Sequence, residues 1–189
     1  RFYGGMVIYK GDGFGAGLGY NTRNNELGQK SLTDTVLGAS VDVGPGTLYG
    51  QYTAIKDENP TGLSGIAALV TPNVGAANAA LIQNAYLNGF KQDARLMHIG
   101  YRLTSGVHTW VVAYNRLDDK RPNDADTNSY GVTYTYALSK RTNFNAVLTR
   151  FQNKGTGQAA PGGNGFLGGV TSAAGVGSTN MALGIPHTF

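Results

Sequence analysis

Three stretches carry residue types that could do chemistry, and their spacing excludes each in turn. Gly11-Asp12-Gly13-Phe14-Gly15-Ala16 fits the glycine pattern that brings backbone close to a dinucleotide pyrophosphate, but that chemistry needs a helix opening at the glycines. Here Phe14, Ala16, Leu18 and Tyr20 alternate with Gly15, Gly17, Gly19 and Asn21, which predicts a strand. Ser64, in Gly62-Leu63-Ser64-Gly65-Ile66, lacks the second glycine of a nucleophile elbow. His98, His108 and His187 have no zinc spacing, and nothing supplies them with a Cys or paired-carboxylate partner to complete a site. The expectation is no catalytic residue, no metal, no cofactor and no enzyme activity.

The charged and polar residues that remain sort by strand parity. Arg23, Asp42, Gln51, His98 and Arg102 lie opposite the apolar positions of their own strands, whereas Lys56, Arg95, Arg116 and Arg150 share the apolar parity. The elements that position them are read from the alternation. Leu37, Ala39, Val41 and Val43 mark one strand; Leu48, Gly50, Tyr52 and Ala54 another; Met97, Ile99, Tyr101 and Leu103 a third. Trp110, Val112 and Tyr114 follow, then Tyr130 through Leu138 in steps of two, then Phe144, Ala146 and Leu148, where Val147 and Phe151 blur the parity. With Arg1–Lys10 and the terminal stretch, nine strands are expected. Short turns at 10–13, 44–46, 104–106 and 139–142 alternate with long loops at 24–31, 57–94, 117–127 and 153–176. Inside the longest loop, 78–87 predicts a short helix from its Ala, Leu and Gln.

Residues 177–189 decide what kind of sheet this is. Met181, Leu183, Ile185, His187 and Phe189 share one face, over roughly the ten residues a tilted strand needs to cross a bilayer. Charged residues are only 14% of the chain, against roughly 25% in soluble domains, and no run reaches the roughly 18 apolar residues of a spanning helix. Eleven Tyr suit a membrane–water boundary, where a ring is half wet. The net charge of +4 is dispersed rather than gathered in a stripe, which argues against nucleic acid. No secretory signal opens the sequence, so it is expected to have been removed or to lie outside this chain. The expected fold is all-β, a single-domain antiparallel transmembrane β-barrel whose short turns face the periplasm and whose long loops face outward.

Tyr136-Ala137-Leu138-Ser139-Lys140-Arg141-Thr142 and the ending Leu183-Gly184-Ile185-Pro186-His187-Thr188-Phe189 resemble segments of the trimeric general porins of Gram-negative bacteria, in particular the β-proteobacterial branch. Pro186 departs from the family's usual Arg and removes a backbone donor near the strand's end. The resemblance implies that residues 1–189 are the C-terminal part of one porin barrel domain, about nine of 16 strands, with the N-terminal strands and constriction loop outside this chain. It implies an outer-membrane location, a homotrimer, and Phe189 as the insertion signal. The function implied is passive diffusion of small hydrophilic solutes and ions; the alternative is a non-channel barrel serving adhesion or surface interaction through its long loops. In such a barrel Arg23, Asp42, Gln51, His98 and Arg102 would line the pore, with Asp42 the nearest acidic counterpart to the cations and an anion preference expected. Lys56, Arg95, Arg116 and Arg150 would meet lipid and lipopolysaccharide phosphates at the outer rim.

Overall fold

The computed structural model describes residues 1–122, 124–161 and 169–189. Its elements in order are β1 (Phe2–Lys10), β2 (Phe14–Asn24), β3 (Lys30–Val43), β4 (Gly46–Asp57), α1 (Ile66–Phe90), β5 (Gln92–Ser105), β6 (His108–Asp119), β7 (Thr127–Ala137), β8 (Asn143–Asn153), the two-residue β9 (Ala159–Ala160) and β10 (Gly169–Val170), and β11 (Ser178–Gly184). Nine strands form one antiparallel sheet in the order β1-β2-β3-β4-β5-β6-β7-β8-β11, each paired with its sequence neighbour, while β9 and β10 pair separately within the last loop. Part of that loop, residues 162–168, lies outside the described residues, as does residue 123 in the loop before β7.

Short turns make this meander possible. Gly44 (φ 59°) and Gly106 (φ 58°) take the left-handed backbone that a tight reversal demands. The strands reach further than the apolar alternation foretells: β3 begins at Lys30 and β5 at Gln92, because the ladder continues above the point where one face stops being apolar. Eleven residues, the length of β7 and β8, cover about 26 Å at about 3.3 Å per residue and a tilt of about 45°. That matches the roughly 25 Å apolar band of an outer-membrane barrel.

Register fixes which residues share a face. Leu18 pairs with Leu37, Leu37 with Tyr52 and Tyr52 with Met97, and Tyr101, Val112, Val132, Leu148 and Met181 form a continuous row across β5, β6, β7, β8 and β11. This resolves β8: Phe144, Ala146, Leu148 and Arg150 lie on the apolar face, and Val147 and Phe151 on the other. Aromatic rings band the apolar face at two heights. Towards the short turns, Trp110 packs on Tyr134 (4.3 Å between centroids) and His108 on Tyr136 (5.2 Å); towards the long loops, Tyr114 packs on Tyr130 (5.2 Å).

The sheet has no soluble core. A compact 19.8 kDa protein exposes about 8,600 Å², whereas this chain exposes 12,303 Å², and among the described residues the buried apolar side chain is Ala79 alone, in α1. The apolar face therefore needs a non-aqueous solvent to cover it.

Two local expectations are corrected. The helix spans Ile66–Phe90 rather than 78–87, and it folds back on itself at Gly75 (φ 77°, ψ 160°). Pro72 and Gly75 break one straight helix, but they sit where the first arm ends, so each arm keeps its own ladder. Ala67 N–H donates to Gln83 Oε1 (2.8 Å), tying the arms into an α-hairpin. In the terminal stretch the ladder stops at Gly184 and resumes as a Thr142–His187 bridge. Pro186 explains the gap, since its carbonyl accepts from Asn143 N–H (3.1 Å) but it has no N–H to return.

Candidate functional site

The face opposite the aromatic bands is polar across β3 to β7, with Met6 and Ile8 of β1 also on it by register, and it borders an open hollow of about 700 Å³ whose lining includes Lys10, Ser40, Asp42, Thr47, Gln51 and His98. All five residues singled out by parity as pore-lining share this face, at three heights. In the middle, Gln51 pairs across the ladder with His98, and His98 with Asn115. His98 Nδ1 lies 2.6 Å from Asn115 Oδ1, and Asn115 Nδ2 donates to Ser129 Oγ (3.1 Å). Because Asn115 uses its amide group on Ser129, its oxygen is the acceptor, and the network assigns the proton to His98 Nδ1. Gln51 Nε2 donates to Thr53 Oγ1 (3.1 Å). Polar donors and acceptors thus cross four strands at one level.

Towards the short turns, Thr47 Oγ1 donates to Asp42 Oδ1 (2.8 Å), and Thr47 is the register partner of Arg102. Lys10 shares this face and this hollow. Sequence parity missed it because the glycines of β1 interrupt the alternation.

Towards the long loops stands Arg23. Its acidic counterpart is Asp57 (3.9 Å), not Asp42, which lies at the opposite end of the sheet. Asp57 is buried and accepts from Ser31 Oγ at 3.0 and 3.2 Å. Its parity with Gln51 and Thr53 was the available signal, obscured because residue 57 read as the start of a loop. Asp34 and Asp119 lie on the same face by register. Asp119 accepts Arg121 Nε and Nη2, both at 2.9 Å, together with the backbone N–H of Arg121 and Ala125.

Lys56, Arg95, Arg116 and Arg150 all fall on the apolar face at its long-loop side, among residues of both signs. Lys56 pairs in register with Asp93 and holds Glu58 (2.8 Å); Arg95 is opposite Asp118; Arg116 reaches Asp126 (3.5 Å); Arg150 Nη1 donates to Thr179 Oγ1 (2.9 Å). The acids here were not foreseen. At the other rim His187 holds Thr142 Oγ1 (2.8 Å) and meets Phe189 edge-on (4.8 Å), leaving the Phe189 ring 99% exposed.

A nine-stranded antiparallel meander with one apolar face banded by aromatics and one polar face bordering a hollow is the wall of a transmembrane β-barrel. The chain belongs to the Gram-negative porins: that family's model matches residues 1–156. The fold is that of a solved anion-selective porin from Comamonas acidovorans, with a TM-score of 0.72, 23% identity, 100% of this chain and 49% of that one covered. The chain therefore spans about half the length of that porin. No curated protein matches the sequence. Membership of the family places the protein in the outer membrane of a Gram-negative bacterium.

Proposed function

We propose that these nine strands form one part of the wall of a water-filled channel through which small hydrophilic solutes and ions diffuse passively, the barrel being completed by strands outside this chain and assembled as a homotrimer. The observation that supports this most is the polar row Gln51–His98–Asn115–Ser129, backed on the same strands by Tyr52, Met97, Ile99 and Tyr114. Hydroxyls and carboxamides at one level replace part of a solute's hydration without binding it tightly.

Ion preference is set at the short-turn mouth. Over the polar face Asp34, Asp42, Asp57 and Asp119 outnumber Lys10, Arg23 and Arg102, but Asp57 is engaged by Arg23 and Ser31, and Asp119 by Arg121. On the polar face near the short turns Lys10 and Arg102 stand with Asp42, while Asp12 lies in the turn itself rather than on a strand, a positive surplus on that stretch of wall that favours anions; the solved porin of the same fold is likewise described as anion-selective. The test is single-channel conductance and reversal potential of the full-length protein in a planar bilayer under a salt gradient. An open channel with weak anion preference is expected, moving towards cations in Lys10→Gln/Arg102→Gln. A closed barrel would leave the surface-interaction alternative, for which the exposed α1 hairpin is the structural basis; cation preference, or an unmoved reversal potential, would remove the selectivity reading.

At the outer rim, Arg95 is the cation best placed for lipopolysaccharide phosphates, because Lys56, Arg116 and Arg150 hold direct partners in the chain, whereas Asp118, opposite Arg95, is itself ion-paired with Lys120. Neutralising all four should lower co-purifying lipopolysaccharide, with Arg95→Gln accounting for most of the loss. Undiminished lipid would reject that role.

A further inference from the structure

A second polar recess lies outside the channel wall, between the second arm of α1 and the loops that precede β3 and α1. Its volume is about 320 Å³, at the lower end of the roughly 300–1,000 Å³ of small-molecule sites. Gln83, Asn84, Leu87, Asn88 and Lys91 line one wall at helical spacing, so a single helix face presents three carboxamides and an ammonium. The facing wall carries Asn25, Glu58 and Asn59, with Leu27 and Pro60 between them.

The facing wall is pre-organised. Asn25 Oδ1 accepts Leu27 N–H (3.0 Å) and Gln29 N–H (2.9 Å), and Asn59 Nδ2 donates to Lys30 O (2.7 Å). Glu26 accepts Gly62 N–H (2.9 Å) and Ser64 N–H (3.2 Å), pinning the base of α1 against this loop. Gln83 Oε1 is committed to Ala67, leaving its NH2 group. Among the described residues the side-chain amides of Asn84 and Asn88 make no hydrogen bond, and both border the recess. Glu58 is paired with Lys56, and the other two charged lining residues, Glu26 and Lys91, are of opposite sign, so the recess offers fixed acceptors, free amide donors and apolar patches with little net charge.

We propose that this recess binds one hexose-sized unit of a neutral, hydroxyl-rich saccharide. Carboxamides suit hydroxyl groups because each offers a donor and an acceptor side by side, and Leu27, Pro60 and Leu87 can cover a sugar's C–H face. Such a sugar can come from a soluble oligosaccharide approaching the channel or from the glycan of the surrounding surface. The inference rests on the loop geometry and stands independently of ion selectivity.

The test titrates full-length protein in detergent micelles with maltose and, in a separate arm, with deacylated lipopolysaccharide core oligosaccharide, read by calorimetry and saturation-transfer NMR. Millimolar binding is expected in at least one arm, and the arm that binds identifies the source. Asn84→Ala/Asn88→Ala should weaken it about tenfold, the loss of one to two hydrogen bonds. Alanine favours helix, so α1 should persist, checked by far-UV circular dichroism. Leu27→Ala is the second variant, expected to weaken binding without touching the helix. Binding in neither arm, or binding unmoved by both variants, overturns the proposal.

Discussion

The spanning wall and the loop end above it reach order by opposite routes. In the wall, strands pair residue for residue, and side chains are sorted by parity into two solvents: Val132 faces the aromatic-banded side and Thr133, its neighbour, the hollow side. At the loop end, side-chain oxygens and amide nitrogens gather backbone groups that no ladder satisfies. Asp119 takes two N–H groups and a bidentate guanidinium, Asn25 takes two N–H groups, and Asn153 Nδ2 reaches the carbonyls of Ala159 (2.8 Å) and Val176 (2.7 Å). A regular ladder tolerates side-chain change as long as polarity matches the face. An irregular loop depends on particular donors and acceptors at particular positions.

The strongest test of this contrast uses that adjacent pair. Val132 sits mid-row between Tyr101–Val112 and Leu148–Met181, at the centre of the apolar band. Val132→Arg should destabilise the full-length protein by about 2–4 kcal/mol in urea-dependent folding into liposomes. Thr133→Arg, one residue along, should cost under about 1 kcal/mol and instead lower conductance by adding bulk and charge to the lumen. Equal costs at the two positions would mean that the faces do not meet different solvents, and the barrel reading of the sheet would fail.

The same contrast explains what the sequence made legible. Within the wall, parity alone separated Gln51, His98 and Arg102 from Lys56, Arg95 and Arg116, and the register keeps the two groups apart, because a period of two leaves no other choice once one face is apolar. Lys10 escaped where β1's glycines erase the alternation, and Asp57 escaped where β4 outruns the apolar band. At the loop end there was no period to read. The contact of Glu26 with Gly62 and Ser64 joins residues 36 and 38 positions apart, and the folding-back of α1 at Gly75 is closed by a hydrogen bond between Ala67 and Gln83, 16 positions apart. Composition can announce that 57–94 is long, and propensity that it holds a helix, but neither says where the helix turns.

The smallest expected effect belongs to the loop end and depends on pH. The Ser64 side chain first, then the backbone N–H of Gly62, of Glu26 itself and of Ser64, favour the ionised Glu26 carboxylate and bring it from an ordinary 4.5 to about 2. A folded-state value below the unfolded one means that the contact's contribution is fully present above about 4.5 and is lost as pH falls from there through about 2. The group is open to solvent, so the consequence is local release rather than unfolding of the barrel. Protection of the Gly62 and Ser64 amides against hydrogen exchange, corrected for the intrinsic pH dependence, should stay level from neutral pH to about 4.5 and then decline severalfold, while amides in the ladder around Val132 stay level throughout. Glu26→Gln should start at the low plateau and lose the pH dependence. Protection that holds flat in the native protein down to pH 2, or that rises on acidification, would show that the base of α1 is held by something other than this carboxylate.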